Sequence, residues 1–136
     1  MRFDELTVGA QATMEHVVTD AMLVAFAEVT GDHNPVHLDD AFAATTRFGG
    51  RIAHGMLVGG FISAAIATRL PGPGTVYLGQ SLRFTRPVRI GDTVTTRVEV
   101  LELVPGKKRA RLGTRCENQR GETVLDGEAL VMVPDE

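Results

Sequence analysis

His54-Gly55-Met56-Leu57-Val58-Gly59-Gly60-Phe61-Ile62-Ser63-Ala64-Ala65-Ile66-Ala67-Thr68-Arg69-Leu70 is apolar almost all the way round a helix, and Pro71-Gly72-Pro73-Gly74 stops it. A helix with no polar face has to be buried on most sides. Gly59, Gly60, Ser63 and Ala64 are small enough for other backbone to come close to it. The run is shorter than the roughly 20 apolar residues of a membrane span, and Ser63, Thr68 and Arg69 interrupt it. The stretch therefore predicts a core helix. Ile66 is large enough to close the floor of a pocket beside it.

Downstream the texture changes to four β-like runs, at about 75–87, 92–104, 107–119 and 122–133. Turn signals at Gly91-Asp92, Pro105-Gly106 and Arg120-Gly121 separate them. Connections this short favour antiparallel neighbours, so the four runs predict a meander. Upstream, residues 10–18 read as a short strand. Thr19 and Asp20 offer an N-cap to a helix carrying Met22, Leu23, Phe26, Ala27 and Thr30, which ends at Gly31. Asp39 to Ala44 reads as a brief second helix with an acidic start. No repeat, low-complexity segment or long linker is present, so residues 1–136 are expected to form a single α+β domain, a central helix wrapped by a curved antiparallel sheet.

Composition narrows the function classes. A net charge of −3 argues against a nucleic-acid binder, which would carry a dominant basic face. Cys116 is the only cysteine, so no internal disulfide can form and a cytoplasmic setting fits; it reads as a small core residue. The N-terminal Met1-Arg2-Phe3-Asp4-Glu5-Leu6 lacks the apolar region of a signal peptide, and no membrane segment is expected.

Chemistry concentrates in Gly31-Asp32-His33-Asn34-Pro35-Val36-His37-Leu38-Asp39. Gly31 and Pro35 are expected to keep Asp32 through His37 as a loop. A carboxylate and an imidazole at Asp32 and His37 can hold one water between them, one taking a proton and the other returning one. From spacing alone the alternative stands that Asp32 caps the next segment, Asn34-Pro35 makes a turn and His37 is an ordinary loop histidine. Asn34 would fix the loop by bonds to its own backbone. Gly55, in the first turn of the apolar helix, exposes a backbone N–H backed by the helix dipole, a plausible oxyanion contact, or it simply permits a tight helix start. Ser63 needs a partner if buried, which the carbonyl of residue 59 could supply.

Other histidines and the basic residues carry less. His33 and His37 have a metal-like spacing, but Pro35 breaks the helix that would align them, so no metal site is expected. His54 reads as a side chain at the helix start bonded to a neighbouring loop, outside the catalytic set, and His16 as a surface or rim residue. Lys107, Lys108, Arg109 and Arg111 at a hairpin turn, and Arg83, Arg86 and Arg89, fit either solvated surface or contacts to phosphates.

The loop segment closely resembles the hydratase 2 motif of the MaoC-like (R)-specific enoyl-CoA hydratases. The resemblance continues through Phe3-Asp4-Glu5-Leu6, Ala53-His54-Gly55-Met56-Leu57, Gly79-Gln80-Ser81-Leu82-Arg83-Phe84 and Pro87-Val88…Gly91-Asp92. It is strongest to the short single-domain hydratases of polyhydroxyalkanoate synthesis. It implies a hot-dog fold, a homodimer, an acyl-CoA thioester substrate and no cofactor. It also implies an Asp32/His37 dyad sharing one water, with Ser63 lining the site. The alternative on the same fold is a 3-hydroxyacyl-carrier-protein dehydratase, one half of a heterodimer in some cases. An acidic chain suits docking of an acidic carrier less well. A hot-dog thioesterase would want an acidic residue on the central helix, and Met56 to Ala67 has none. A non-catalytic acyl-binding subunit would lack part of the dyad, and both members are present.

Overall fold

The computed structural model describes residues 1–134. Strand β1 (Gln11–Val17) leads to helix α1 (Asp20–Thr30) and the short helices α2 (Pro35–Leu38) and α3 (Asp40–Ala44). The central helix α4 (Gly55–Thr68) follows, then β2 (Val76–Gln80), β3 (Arg83–Phe84), β4 (Thr93–Val104), β5 (Arg109–Glu117) and β6 (Thr123–Met132). One antiparallel six-stranded sheet has the order β1-β4-β5-β6-β2, with β3 also on β6.

Period-two alternation decides which face of the sheet meets α4. Val94, Thr96, Val98 and Val100 of β4 and Ala110, Leu112, Thr114 and Cys116 of β5 point inward and are buried. They meet Val58, Phe61, Ile62, Ala65 and Ile66 of α4 in one core. Cys116 touches Thr96 at 3.4 Å, and burial pushes its thiol up to about 11. It is a core residue, as its setting in the sequence implied. This α+β arrangement, a sheet packed on one central helix, is the expected hot-dog architecture.

Three expectations are corrected. The run at 75–87 pairs with β6 rather than with the run at 92–104, so the meander has three strands, β4-β5-β6. The same run also breaks at Ser81-Leu82 into β2 and β3. There Ser81 donates its N–H to the Glu128 carbonyl at 2.9 Å and its Oγ accepts the Glu128 N–H at 2.9 Å. That close crossing needs Gly127, where an added Cβ would lie 1.9 Å from the Ser81 carbonyl oxygen. Because the obstacle is backbone, Gly127→Ala is expected to destabilise the fold by about 1–3 kcal/mol, read as a lower denaturant midpoint. An unchanged midpoint would show that the crossing relaxes freely.

Second, Pro35 does not keep the 32–37 segment free of helix. It occupies the first turn of α2, where a missing N–H costs nothing and its fixed φ suits the helix. Third, α4 is not covered on all sides within this chain. Met56, Gly60, Ser63 and Ala67, spaced three and four apart, form an exposed stripe along it. Ser63 is therefore exposed, not a buried hydroxyl seeking a carbonyl. Ile66 is buried in the core, while His16 lies against the helix, its ring stacked 4.1 Å from Phe61.

Candidate active site

Local chain geometry places each polar group of the loop. Helix α1 ends at Gly31, whose φ of 81° lies in the left-handed region that lets a glycine turn the chain sharply. The turn brings Asp32 out of the helix, where the Thr30 hydroxyl accepts the Asp32 N–H at 3.1 Å. The Asp32 carboxylate accepts the Asn34 N–H at 3.3 Å, and the Asn34 side chain accepts the Val36 N–H at 3.2 Å, capping α2. Asp39 caps α3 in the same way through Phe42. These short-range bonds set the local turns of the segment.

The other wall is the extended segment 51–54. The backbone N–H of Ile52 reaches the Val36 carbonyl at 3.3 Å, and Ala53 holds the Val88 carbonyl at 2.7 Å. His37 is buried on α2, and its Nδ1 donates to the Ile52 carbonyl at 2.8 Å. A carbonyl can only accept, so Nδ1 carries the hydrogen and Nε2 is the nitrogen left to meet the cavity. Arg51, largely buried, donates from Nε to the His37 carbonyl at 2.7 Å and pairs with Asp20 at 2.6 Å. Arg51 thereby ties the start of α1 to the residue that carries the imidazole.

Asp32, His37 and Gly55 line one cavity of about 470 Å³, with His54, Met56, Val58, Phe84, Val124 and Leu125 among its other walls. One carboxylate oxygen of Asp32 and one ring nitrogen each of His37 and His54 lie within 4.8 Å of one another. A single water bonded at about 2.8 Å to two of these groups spans such a gap. The His37 and His54 rings stack at 3.9 Å with 29° between planes. In-plane lone pairs of rings so nearly parallel do not converge on one ion, so the trio suits a water better than a metal.

Gly55 is the first residue of α4, and its N–H has no partner among the described residues. A Cβ there would sit 2.7 Å from the Phe84 ring. The cavity therefore brings a carboxylate and an imidazole close enough to share a water, beside a lining residue whose helix-start N–H is unpartnered among the described residues. That combination can move a proton on and off carbon while holding a developing oxyanion.

Not every sequence candidate converges here. Ser63 lines a second cavity of about 420 Å³ with Gly59, Gly60, Tyr77, Gln80 and Leu82, and Met56 borders both cavities. Asn34 does not line the first cavity and acts on the backbone behind it. Of the basic residues, Arg86 reaches the rim and is joined by Arg47, which the sequence did not single out. Arg89 instead holds the Phe48 carbonyl at 2.6 Å, and Arg83 pairs with Asp126. The Lys107–Arg111 turn lies outside this cavity.

Burial lowers His16 and His54 below the ordinary histidine value of 6.5. The unfolded chain protonates these histidines first as pH falls through about 6.5, so it binds more protons than the folded one and stability falls with pH. The unfolding midpoint is expected to drop as pH falls below about 6.5, and His16→Phe, which keeps the stack on Phe61, should reduce that drop. An identical pH slope in the variant would contradict the assignment.

Residues 7–120 match the family described as the MaoC like domain. This chain belongs to that family. The MaoC-like chain is 54% identical over 132 residues to the 3-hydroxybutyryl-CoA dehydratase of Methylorubrum extorquens, covering 97% of this chain and 83% of the relative. It is 46% identical to the (R)-specific enoyl-CoA hydratase of Aeromonas caviae, covering 98% of this chain and all of the relative (100%). The solved structure of an R-hydratase from Pseudomonas aeruginosa superposes with a TM-score of 0.95 at 58% identity, covering 99% of this chain and 86% of that one. With relatives this similar along nearly their full length, the MaoC-like chain is an enzyme of the hydro-lyase class. None of its described helices is long and apolar enough to cross a membrane.

Proposed function

We propose that this enzyme adds water to trans-2-enoyl-CoA to give (R)-3-hydroxyacyl-CoA. The observation that carries the proposal is that Asp32, His37 and Gly55 line one cavity, with the Asp32 and His37 polar atoms within 4.8 Å of each other. Its support from kinship is the likeness to proteins named for this reaction. Asp32 and His37 hold one water. As its oxygen bonds to C3 of the substrate, one of the pair takes a proton and a proton passes to C2. Electrons displaced from the double bond rest on the thioester oxygen, which the Gly55 N–H steadies with the α4 dipole behind it. No cofactor takes part in any of these steps.

The working unit in this reading is a homodimer. The exposed stripe of α4 lies beside strand β2, a free edge of the sheet that presents Val76, Tyr77 and Leu78 to solvent. An unpaired apolar edge beside an uncovered helix face is a surface that a second copy would cover. It would also enclose Ser63, bringing it toward the substrate path as the resemblance implies. Light scattering should give twice the 14.6 kDa chain mass, and a monomer would contradict this.

The reaction is tested with crotonyl-CoA by following loss of the enoyl-thioester absorbance. The hand of the product is then read with (R)- and (S)-specific 3-hydroxyacyl-CoA dehydrogenases. Rapid loss with an (R) product supports the proposal. Turnover of the crotonyl carrier-protein thioester alone would move the assignment to a carrier-protein dehydratase.

A further inference from the structure

His54 occupies the N-cap of α4, yet its side chain makes no capping bond there. Ser, Thr, Asp or Asn would cap that helix. The ring is only 1% exposed, and its Nδ1 has no hydrogen-bond partner among the described residues. Neither helix capping nor polar satisfaction explains a histidine at this position. The hydrogen bond it does make goes to the Asp32 backbone: Nε2 donates to the Asp32 carbonyl at 3.1 Å. On its face it stacks on His37 at 3.9 Å, and Phe26 packs against it at 4.7 Å.

We propose that His54 is a positioning residue that sets the spacing of Asp32 and His37, bonded to the backbone of one and stacked on the ring of the other. This rests on the dyad reading above. A carbonyl accepts and never donates, so Nε2 carries the hydrogen and Nδ1 is the bare nitrogen. Burial favours the neutral ring, aided by the neighbouring His37 and His33 and opposed by the bond to the Asp32 carbonyl and the Asp32 charge. A neutral ring can lie against His37 without opposing its proton uptake, as an imidazolium would.

Two variants of similar bulk separate the contacts. His54→Gln places an amide N–H where Nε2 stood and loses the stack. His54→Phe keeps the stack and loses the donor. Misplacing a reacting group by about 1 Å can cost around 100-fold, so His54→Phe is expected to lower kcat by about 10- to 100-fold with KM within about threefold. His54→Gln is expected to recover at least a third of the wild-type rate. Both are assayed beside His37→Asn on crotonyl-CoA, with unfolding midpoints measured in parallel. Wild-type kcat in both His54 variants, with only the midpoints lowered, overturns the proposal and leaves His54 a packing residue. Equal loss of kcat in the two overturns the role of the bond to Asp32. If His37→Asn also turns over normally, the dyad reading itself has failed, and that result is distinct from either of the others.

Discussion

Asp32→Asn and His37→Asn are each expected to lower kcat by about 10²- to 10⁴-fold, the usual range for losing a positioned acid or base, with the fold retained. The substitutions are chosen to spare the architecture. Asp32 is exposed, and its carboxylate accepts only the Asn34 N–H among the described residues, a bond that an Asn side-chain oxygen can also accept. His37 is buried, and its structural contact is the Nδ1–H bond to the Ile52 carbonyl. The amide nitrogen of Asn sits near that position and can donate to the same oxygen. What each variant removes is the ability to take up and return a proton at the water between the two groups. Circular dichroism and unfolding midpoints within a few degrees of wild type, beside the loss of turnover, would meet the expectation. Near-normal turnover in either variant would remove that residue from the reaction.

The second large effect is expected at Gly55 and needs a pair of variants. Gly55→Ala keeps the N–H but places a Cβ 2.7 Å from the Phe84 ring, which is half exposed and can swing away into the cavity. A loss of about tenfold in kcat/KM from the crowded mouth is expected, with little change in stability. Gly55→Pro adds comparable bulk and also deletes the N–H. Proline is well tolerated in the first turn of a helix. The preceding residue, His54, already has φ −58° and ψ 133°, the extended region that a following proline requires. The difference between the two variants therefore isolates the donor. Losing one oxyanion donor typically costs about 10²- to 10³-fold in kcat, so Gly55→Pro should fall below Gly55→Ala by about that factor. Equal rates in the two would assign Gly55 to steric room alone.

Much of the architecture was legible because it rests on local rules. The apolar run from Met56 to Ala67 and its Pro-Gly stop mark α4, and the β-branched alternation of residues 93–100 marks β4. Thr19 and Gly31 bound α1 by capping chemistry that is visible in sequence. The partnering of β2 was not legible, because pairing with β6 depends on how the chain passes over the sheet after α4, and no turn signal encodes that route. Pro35 was misread since the residue that breaks a helix interior also starts one.

In the site, Asp32, His37 and Gly55 line one cavity, while Ser63 opens on the other side of Met56. A helical period places Ser63 on a face but does not say which chain covers that face. The full set of contacts around His54 was also missed. Its bond to the loop was foreseen, but its stack on His37 joins residues 17 apart and has no local signature. One signal was available: a histidine stands where a helix asks for a Ser, Thr, Asp or Asn cap.

In the proposed reaction one water, held between Asp32 and His37, supplies both the hydroxyl and the proton. The two groups line one cavity with polar atoms within 4.8 Å of each other, so both additions are expected on the same face of the double bond. Hydration of crotonyl-CoA in D₂O, with the relative configuration at C2 and C3 read by proton NMR coupling, tests this directly. A single diastereomer from syn addition of deuterium and hydroxyl, with the (R) configuration at C3, is the predicted result. Anti addition, or a mixture of C2 epimers formed during turnover, would place the proton donor elsewhere and contradict the shared water.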